Sequence, residues 1–176
     1  MLERTAACER STLASLVLVR VHELVSNPDP DEPRLQVLKG YVFVIDQAFG
    51  ANVVYKLAGG HEQTGESPLR TAQRELKEET NLRVSWHDFR ECGKWLETRE
   101  YGTHWKYLFT ADVDVRKLHW VDKRAKSKRQ EKPKFCTVDE FYALVRSGKF
   151  MPDHYKKLVE YALVLPGGRD KPGRDS

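Results

Sequence analysis

Cysteine is scarce in this chain of 176 residues: Cys8, Cys92 and Cys136 are far apart, odd in number and without C-x-x-C spacing. That argues against a disulfide framework or a thiolate zinc site and fits a reducing cytosol, so a cytoplasmic location is expected. Long apolar runs are lacking as well. The longest early one, Leu13-Ala14-Ser15-Leu16-Val17-Leu18-Val19, falls far short of the roughly 20 residues that span a membrane. It has no small-residue cleavage site, and Arg20, His22 and Glu23 follow it directly, so it reads as a buried strand, with no membrane partner expected. No internal repeat is present. Disorder is excluded by composition, since 40% of residues are hydrophobic and there are 4 Trp, 7 Tyr and 7 Phe. Nor is one sign of charge missing: 30 Lys+Arg face 26 Asp+Glu, for a net +4. A cationic surplus attracts polyanions, but its location matters more than its sum.

The length suits one domain. Residues 1–11 read as an N-terminal extension, 12–165 as the domain, and 166–176, with Gly, Pro and alternating charges, as a flexible tail. Val and Leu over 13–25 mark a long strand, ended by Asn27-Pro28-Asp29-Pro30-Asp31-Glu32-Pro33, where the prolines lack the N–H a ladder needs. A second strand covers about 35–46, a turn Phe49-Gly50-Ala51-Asn52, and a third strand 53–57 runs into a Gly59-Gly60 turn. Ser67 is an N-cap and Pro68 a first helical residue for a helix over about 68–80. Trp105, Tyr107, Phe109, Ala111, Val113 and Val115 alternate with polar residues, as in a strand with one buried face, broken only by Leu108. Residues 83–97 would supply its antiparallel neighbour. Thr137-Val138-Asp139-Glu140 is a capping box for a helix ending at Ser147-Gly148, and another helix begins near Pro152. Strands and helices mix without regular alternation, so the class is α+β.

The chemistry concentrates between Gly60 and Leu82. Glu75, Glu78 and Glu79 stand at i, i+3 and i+4 and share one helix face, where like charges repel. Arg70, Arg74 and Lys77 offset part of this, and a helix laced with ion pairs would explain the pattern. A hard divalent cation would also resolve it, because Mg²⁺ takes oxygen ligands and shares them with water and phosphate. Leu69, Ala72 and Leu76 form the adjoining stripe that would seat the helix on a sheet.

The whole segment, GHEQTGESPLRTAQRELKEETNL, resembles the signature of the Nudix hydrolase family: G, five residues, E, seven residues, R-E-U-x-E-E-x-G-U, with U aliphatic. Gly60, Glu66, Arg74, Glu75, Leu76, Glu78, Glu79 and Leu82 stand at the required spacing, eight of nine fixed positions. The departure is Asn81 where the family has Gly; Asn is the next-best residue for a left-handed helix end. The family's frequent W-x-L-P-G-G appears as Tyr55-Lys56-Leu57-Ala58-Gly59-Gly60.

The resemblance implies an α/β/α sandwich, a mixed sheet flanked by helices. It also implies hydrolysis of a nucleoside diphosphate linked to another moiety, with Mg²⁺ or Mn²⁺. By position, Glu78 and Glu79 would be metal ligands, with the Gly59 carbonyl a further candidate. Glu75 would be a ligand or the base, and Glu66 and Arg74 would pair to hold the loop against the helix. Because some members take their base from a later loop, Glu97, Glu100 and Glu131 are candidates. Glu131 precedes the strand-like Phe135 and is either an added metal ligand or a solvated loop residue.

Substrate signals are sparse. The sequence arrays of the NADH-cleaving and coenzyme A groups are absent, and Glu97 and Thr98 stand where the ADP-ribose group often has proline. Tyr101, Trp105 and Tyr107 are either stacking faces for a base or core residues of a strand. His61 and His104 are either phosphate contacts or ordinary surface groups. Residues 123–134 hold seven cations, Lys126, Lys128 and Arg129 among them, and one anion. That is a local +6 in a chain of +4, which leaves −2 for everything else. The run is either a solvated loop or a flap that attracts polyphosphate or an RNA 5′ end. Two function classes follow: a pyrophosphohydrolase for a nucleotide-type small molecule, with RNA 5′-end processing as a variant, or a binding module of the same fold that does not cleave. A homodimer is common among similar proteins.

Overall fold

The computed structural model describes residues 12–25, 29, 31, 35–47, 52–100, 102–121 and 131–167. The expected N-terminal extension, the turn at 49–51, and Tyr101, Lys126, Lys128 and Arg129 lie outside the described residues, as does the tail beyond Gly167. Seven strands form one sheet: β1 (Thr12–Val25), β2 (Leu35–Asp46), β3 (Val54–Lys56), β4 (Ala58–His61), β5 (Phe89–Arg99), β6 (Gly102–Asp114) and β7 (Glu131–Thr137). β1 and β6 are parallel and every other pairing is antiparallel, so the sheet is mixed.

The central feature is a fork. β1 pairs with β2 from Val19↔Val42 to Val25↔Leu35, and beyond Val19 and Val42 the two strands part. Consecutive strands fill the gap, β3 on β2 (Val44↔Lys56, Asp46↔Val54) and β4 on β1 (Ala14↔His61, Leu16↔Gly59). β7 lines the other edge of β2, from Gly40↔Thr137 to Asp46↔Glu131.

Helices cover both faces. α1 (Pro68–Thr80) seats Ala72 and Leu76 on Val17, Val19, Val42, Val44 and Ala58. α2 (Val138–Arg146) and α3 (Pro152–Glu160) enclose Leu16, Leu18, Phe43, Leu57, Leu108, Phe141 and Leu158 on the opposite face. Burial on both sides explains why β1 reads as a continuous apolar run. It also corrects the one-faced reading of β6: Leu108 and Thr110 are as buried as Phe109 and Ala111. Trp105 is a second correction. It is 38% exposed rather than core, because neither helical layer covers that face at the hairpin end, where its cross-strand partner Leu96 is exposed too.

Local chemistry set the helix ends. The Ser67 hydroxyl accepts the Arg70 N–H at 3.2 Å with Pro68 at the first position, and Asn81 closes α1 at φ 64°, the conformation that an Asn in place of Gly tolerates. In α2, the Thr137 and Glu140 side chains each accept the other's backbone N–H at 3.2 Å. Pro166 and Gly167, read as the start of a loose tail, include one tie: the Gly167 N–H donates to the Tyr155 hydroxyl. Among the described residues, no helix is long and apolar enough to cross a membrane.

α3 is tied to the fork through His154, whose Nδ1 accepts the Leu57 N–H at 3.1 Å. Burial, with Lys106 and Lys56 nearby, pushes its pKa down to about 4. The unfolded chain takes a proton here below about pH 6.5, while the folded chain refuses it until about pH 4. The contribution of His154 is therefore complete above pH 6.5 and falls by up to about 3 kcal/mol as pH drops toward 4. In His154→Asn the amide oxygen accepts the same N–H without titrating, so this acid-side loss is removed. Between pH 7.5 and pH 5 the urea midpoint of the variant should therefore move toward higher stability relative to that of the wild type, and parallel pH profiles for the two proteins would refute the role of His154.

Candidate active site

Ser15 and Leu16 leave little room beside β4, and glycine is what lets β4 pair there. Gly59 and Gly60, expected to form a turn, are strand residues opposite Leu16 and Ser15. A Cβ on Gly60 would stand 2.5 Å from Glu75 Oε1, so the Glu75 carboxylate lies directly on the glycine face. One turn later along α1, Glu79 Oε2 accepts the Gly59 N–H at 3.0 Å. The repeat of α1 thus drops two carboxylates onto two successive glycines.

Arg74 organises the exposed side. Its Nε and Nη2 reach both oxygens of Glu66 at 2.9 Å, and Nη2 also donates to the His61 carbonyl at 2.8 Å. Nη1 reaches Glu75 at 3.0 Å and the half-exposed Glu78 at 3.2 Å. A bidentate guanidinium–carboxylate pair fixes direction as well as distance, so the loop 61–66 is fastened to α1. Glu66 is accordingly held below the ordinary carboxylate range, chiefly by the Arg74 hydrogen bonds.

Two further carboxylates arrive from the sheet. Glu131, one of whose readings was a solvated loop residue, is instead the first residue of β7 and 6% exposed. Cross-strand pairing puts it opposite Asp46, and both accept the Lys56 ammonium, at 2.8 Å and 3.2 Å. Burial is the main cause that pushes Glu75 up despite Arg74, with Glu78 and Glu131 adding to it. Burial, then Glu131 and Glu75, push Glu79 up to about 8, against the pull of the Gly59 N–H and Lys56. Among the described residues, the cations paired with these carboxylates are Arg74 and Lys56.

The family model for the NUDIX domain matches residues 18–158. The chain belongs to the Nudix family. Solved structures share this fold: the NUDIX hydrolase from Nitrosomonas europaea is 16% identical, with a TM-score of 0.59 over 88% of this chain and 90% of that one. The NUDIX domain of Shewanella oneidensis NrtR, solved with ADP ribose, is 16% identical with a TM-score of 0.57 over 87% of this chain and 86% of that one. A MutT/nudix family protein from Enterococcus faecalis is 15% identical with a TM-score of 0.50, covering 73% of this chain, which spans only 44% of its length. No curated protein matches the sequence. The seven-stranded mixed sheet between helices is the α/β/α sandwich that the resemblance implies.

Other residues singled out in the sequence of this Nudix domain fall outside the cluster. Glu97 pairs with Lys106 at 2.9 Å and Arg99 at 3.3 Å and is held low by them against its burial. Glu100 is exposed in the turn that follows β5. Trp105 lies under Lys94, 5.9 Å from its ring centre, and Tyr107 packs against the α1-side core. His104 bonds to the Thr12 hydroxyl and faces His61 at 6.0 Å. Lys56 and Asp46 were not anticipated. No local signal marks either, since their meeting depends on the register of three strands.

Among the described residues, no three His, Cys, Asp or Glu side chains converge closely enough to hold an ion as they stand. Glu79 is turned to the Gly59 N–H, Glu75 and Glu78 to Arg74, and Glu131 to Lys56. The donor chemistry still fits a hard divalent cation, since all are carboxylate oxygens. The Gly60 contact is open to test. Gly60→Ala should keep the fold, because only the end of a flexible side chain must move, but Glu75 would be displaced. A drop in kcat of about ten- to a hundredfold is expected, with a urea midpoint close to wild type.

Proposed function

We propose that this Nudix domain hydrolyses a diphosphate linkage in a nucleoside diphosphate joined to another moiety, with Mg²⁺ or Mn²⁺ bound by the carboxylate cluster. The observation that carries the reading is the placing of three carboxylates together: Glu79 on the Gly59 N–H, Glu75 against Gly60, and Glu131 buried on the same face of the sheet. Glu78, Glu79 and Glu131, with the Gly59 carbonyl, would hold the cation. When bound, it would neutralise diphosphate charge and make a water more acidic.

The chain's own residues do the rest. Glu75, half-buried with a raised affinity for protons, takes the proton of the attacking water. The water oxygen forms a bond to one phosphorus as the bridging P–O bond breaks, and the leaving phosphate departs with the bridging oxygen and its electron pair. Arg74, anchored by Glu66, keeps Glu75 from swinging away, so the base is oriented before substrate arrives.

A neighbour of the same fold was solved with ADP ribose, which makes that compound the first member of a substrate panel. Nucleotide sugars, nucleoside triphosphates, dinucleoside polyphosphates and 5′-triphosphate RNA complete it, with products read by mass. The expected result is a nucleoside monophosphate plus a phosphorylated partner from at least one compound, in the presence of Mg²⁺ or Mn²⁺ only. Binding without turnover across the panel would replace the enzyme with a nucleotide-binding module.

A further inference from the structure

We propose that Lys56 is the internal counter-cation of the carboxylate cluster: shared between Asp46 and Glu131, its ammonium holds Glu131 in position and sets how tightly the cluster binds a divalent cation. The inference rests on the metal-dependent reading above.

The register supports it. Lys56 on β3 pairs with Val44, two residues from Asp46 on the same strand, and Asp46 pairs with Glu131 across β2 and β7. Val44 packs under α1, so Lys56, Asp46 and Glu131 lie on the face of the sheet that α1 covers, the face of Glu75 and Glu79. The ammonium reaches diagonally across β2, from β3 to Asp46 on β2 and Glu131 on β7.

Burial makes the charge informative. The side chains of Lys56, Asp46 and Glu131 are 16%, 12% and 3% exposed. Lysine is almost never buried without a partner, and replacing a buried ion pair with apolar side chains is often neutral or stabilising. The fold would therefore be served as well by a methionine against neutral neighbours. What a lysine supplies is one fixed positive charge among carboxylates, and that charge reaches Glu79 as well. A divalent cation arriving at Glu79 and Glu131 meets an ammonium already there. Lys56 thus weakens the ion's hold while keeping Glu131 from collapsing onto other donors. It is a positioning residue, acting through Glu131 rather than on substrate.

The test is Mn²⁺ affinity, measured calorimetrically on the full chain without substrate, for wild type, Lys56→Met, Asp46→Asn and the double variant. Lys56→Met should bind Mn²⁺ about tenfold more tightly and Asp46→Asn about tenfold more weakly, because each changes the local charge by one. The double variant, with the wild-type net charge, should return to within about threefold of wild type. Unchanged or weaker binding by Lys56→Met overturns the proposal. Should that variant fail to fold, Asp46→Asn and the double variant decide it: equal affinity in the two overturns it. A wild-type chain that binds no Mn²⁺ removes the metal-dependent reading itself, whereas normal wild-type binding with no charge effect removes only the role of Lys56.

Discussion

Glu79→Gln should lose at least about a thousandfold in kcat, roughly 4 kcal/mol of transition-state stabilisation, while the protein stays folded. Both halves follow from where Glu79 sits. Its side chain is buried, and its structural duty is to accept the Gly59 N–H at 3.0 Å. An amide oxygen accepts the same hydrogen bond at the same length, so β4 remains fastened to α1. What the amide cannot do is offer an anionic oxygen to a divalent cation. The cluster would keep Glu78 and Glu131 but lose the carboxylate nearest to the glycine strand. Steady-state kinetics on the substrate found in the panel, together with a urea titration, separate the two effects. Near-wild-type turnover would refute the role given to Glu79, and loss of the folded state would show that its charge serves the fold.

Gly59→Ala should act the other way, on the fold first. A Cβ at this position would stand 2.2 Å from the Ser15 carbonyl oxygen and 3.0 Å from Leu16 Cα, both backbone atoms of the central strand, and φ there is 154°. No side-chain rotation relieves such a contact. β4 must move off β1, weakening the ladder from Ala14↔His61 to Val17↔Ala58. The cost should be about 3 kcal/mol or more, a fall in Tm on the order of 10 °C for a chain of this size. Thermal unfolding followed by circular dichroism measures it, and a shift below about 2 °C would contradict the close approach. The contrast with Gly60→Ala is instructive: adjacent glycines, one against a backbone and one against a movable carboxylate, should separate stability from activity.

Much of the architecture was legible because it depends on neighbours in sequence. β2 runs over Leu35–Asp46, the span expected after the proline-rich segment, and α1 spans Pro68–Thr80 between the cap and the left-handed Asn81 that its sequence supplies. Ser67, Thr137, Glu140 and Asn81 act on backbone groups within three or four residues, so their effect survives any tertiary context. The spacing of Glu75, Glu78 and Glu79 belongs to the same class, as does the box that marked the Nudix family.

Elsewhere the sequence misled for a physical reason. A Gly-Gly pair is one of the usual signs of a turn, yet here the missing side chains serve close approach, and β4 is the result. Glu131 sits in a strongly basic run and invites a solvated reading, but pairing with Asp46 buries it. Trp105 alternates like a core residue, and only the reach of the helical layers leaves it exposed.

The sequence by itself determined β1, β2, α1 and α2, the caps of the two helices, the family and a helix face with three carboxylates, since each follows from local pattern or from contacts a few residues apart. Tertiary structure alone decided which charges meet. Lys56, Asp46 and Glu131 come together only because β3, β2 and β7 align in one register, and Glu79 meets Gly59 only because α1 docks across the fork. Electrostatic energy depends on distance through space and on burial, and neither is written in the spacing along the chain.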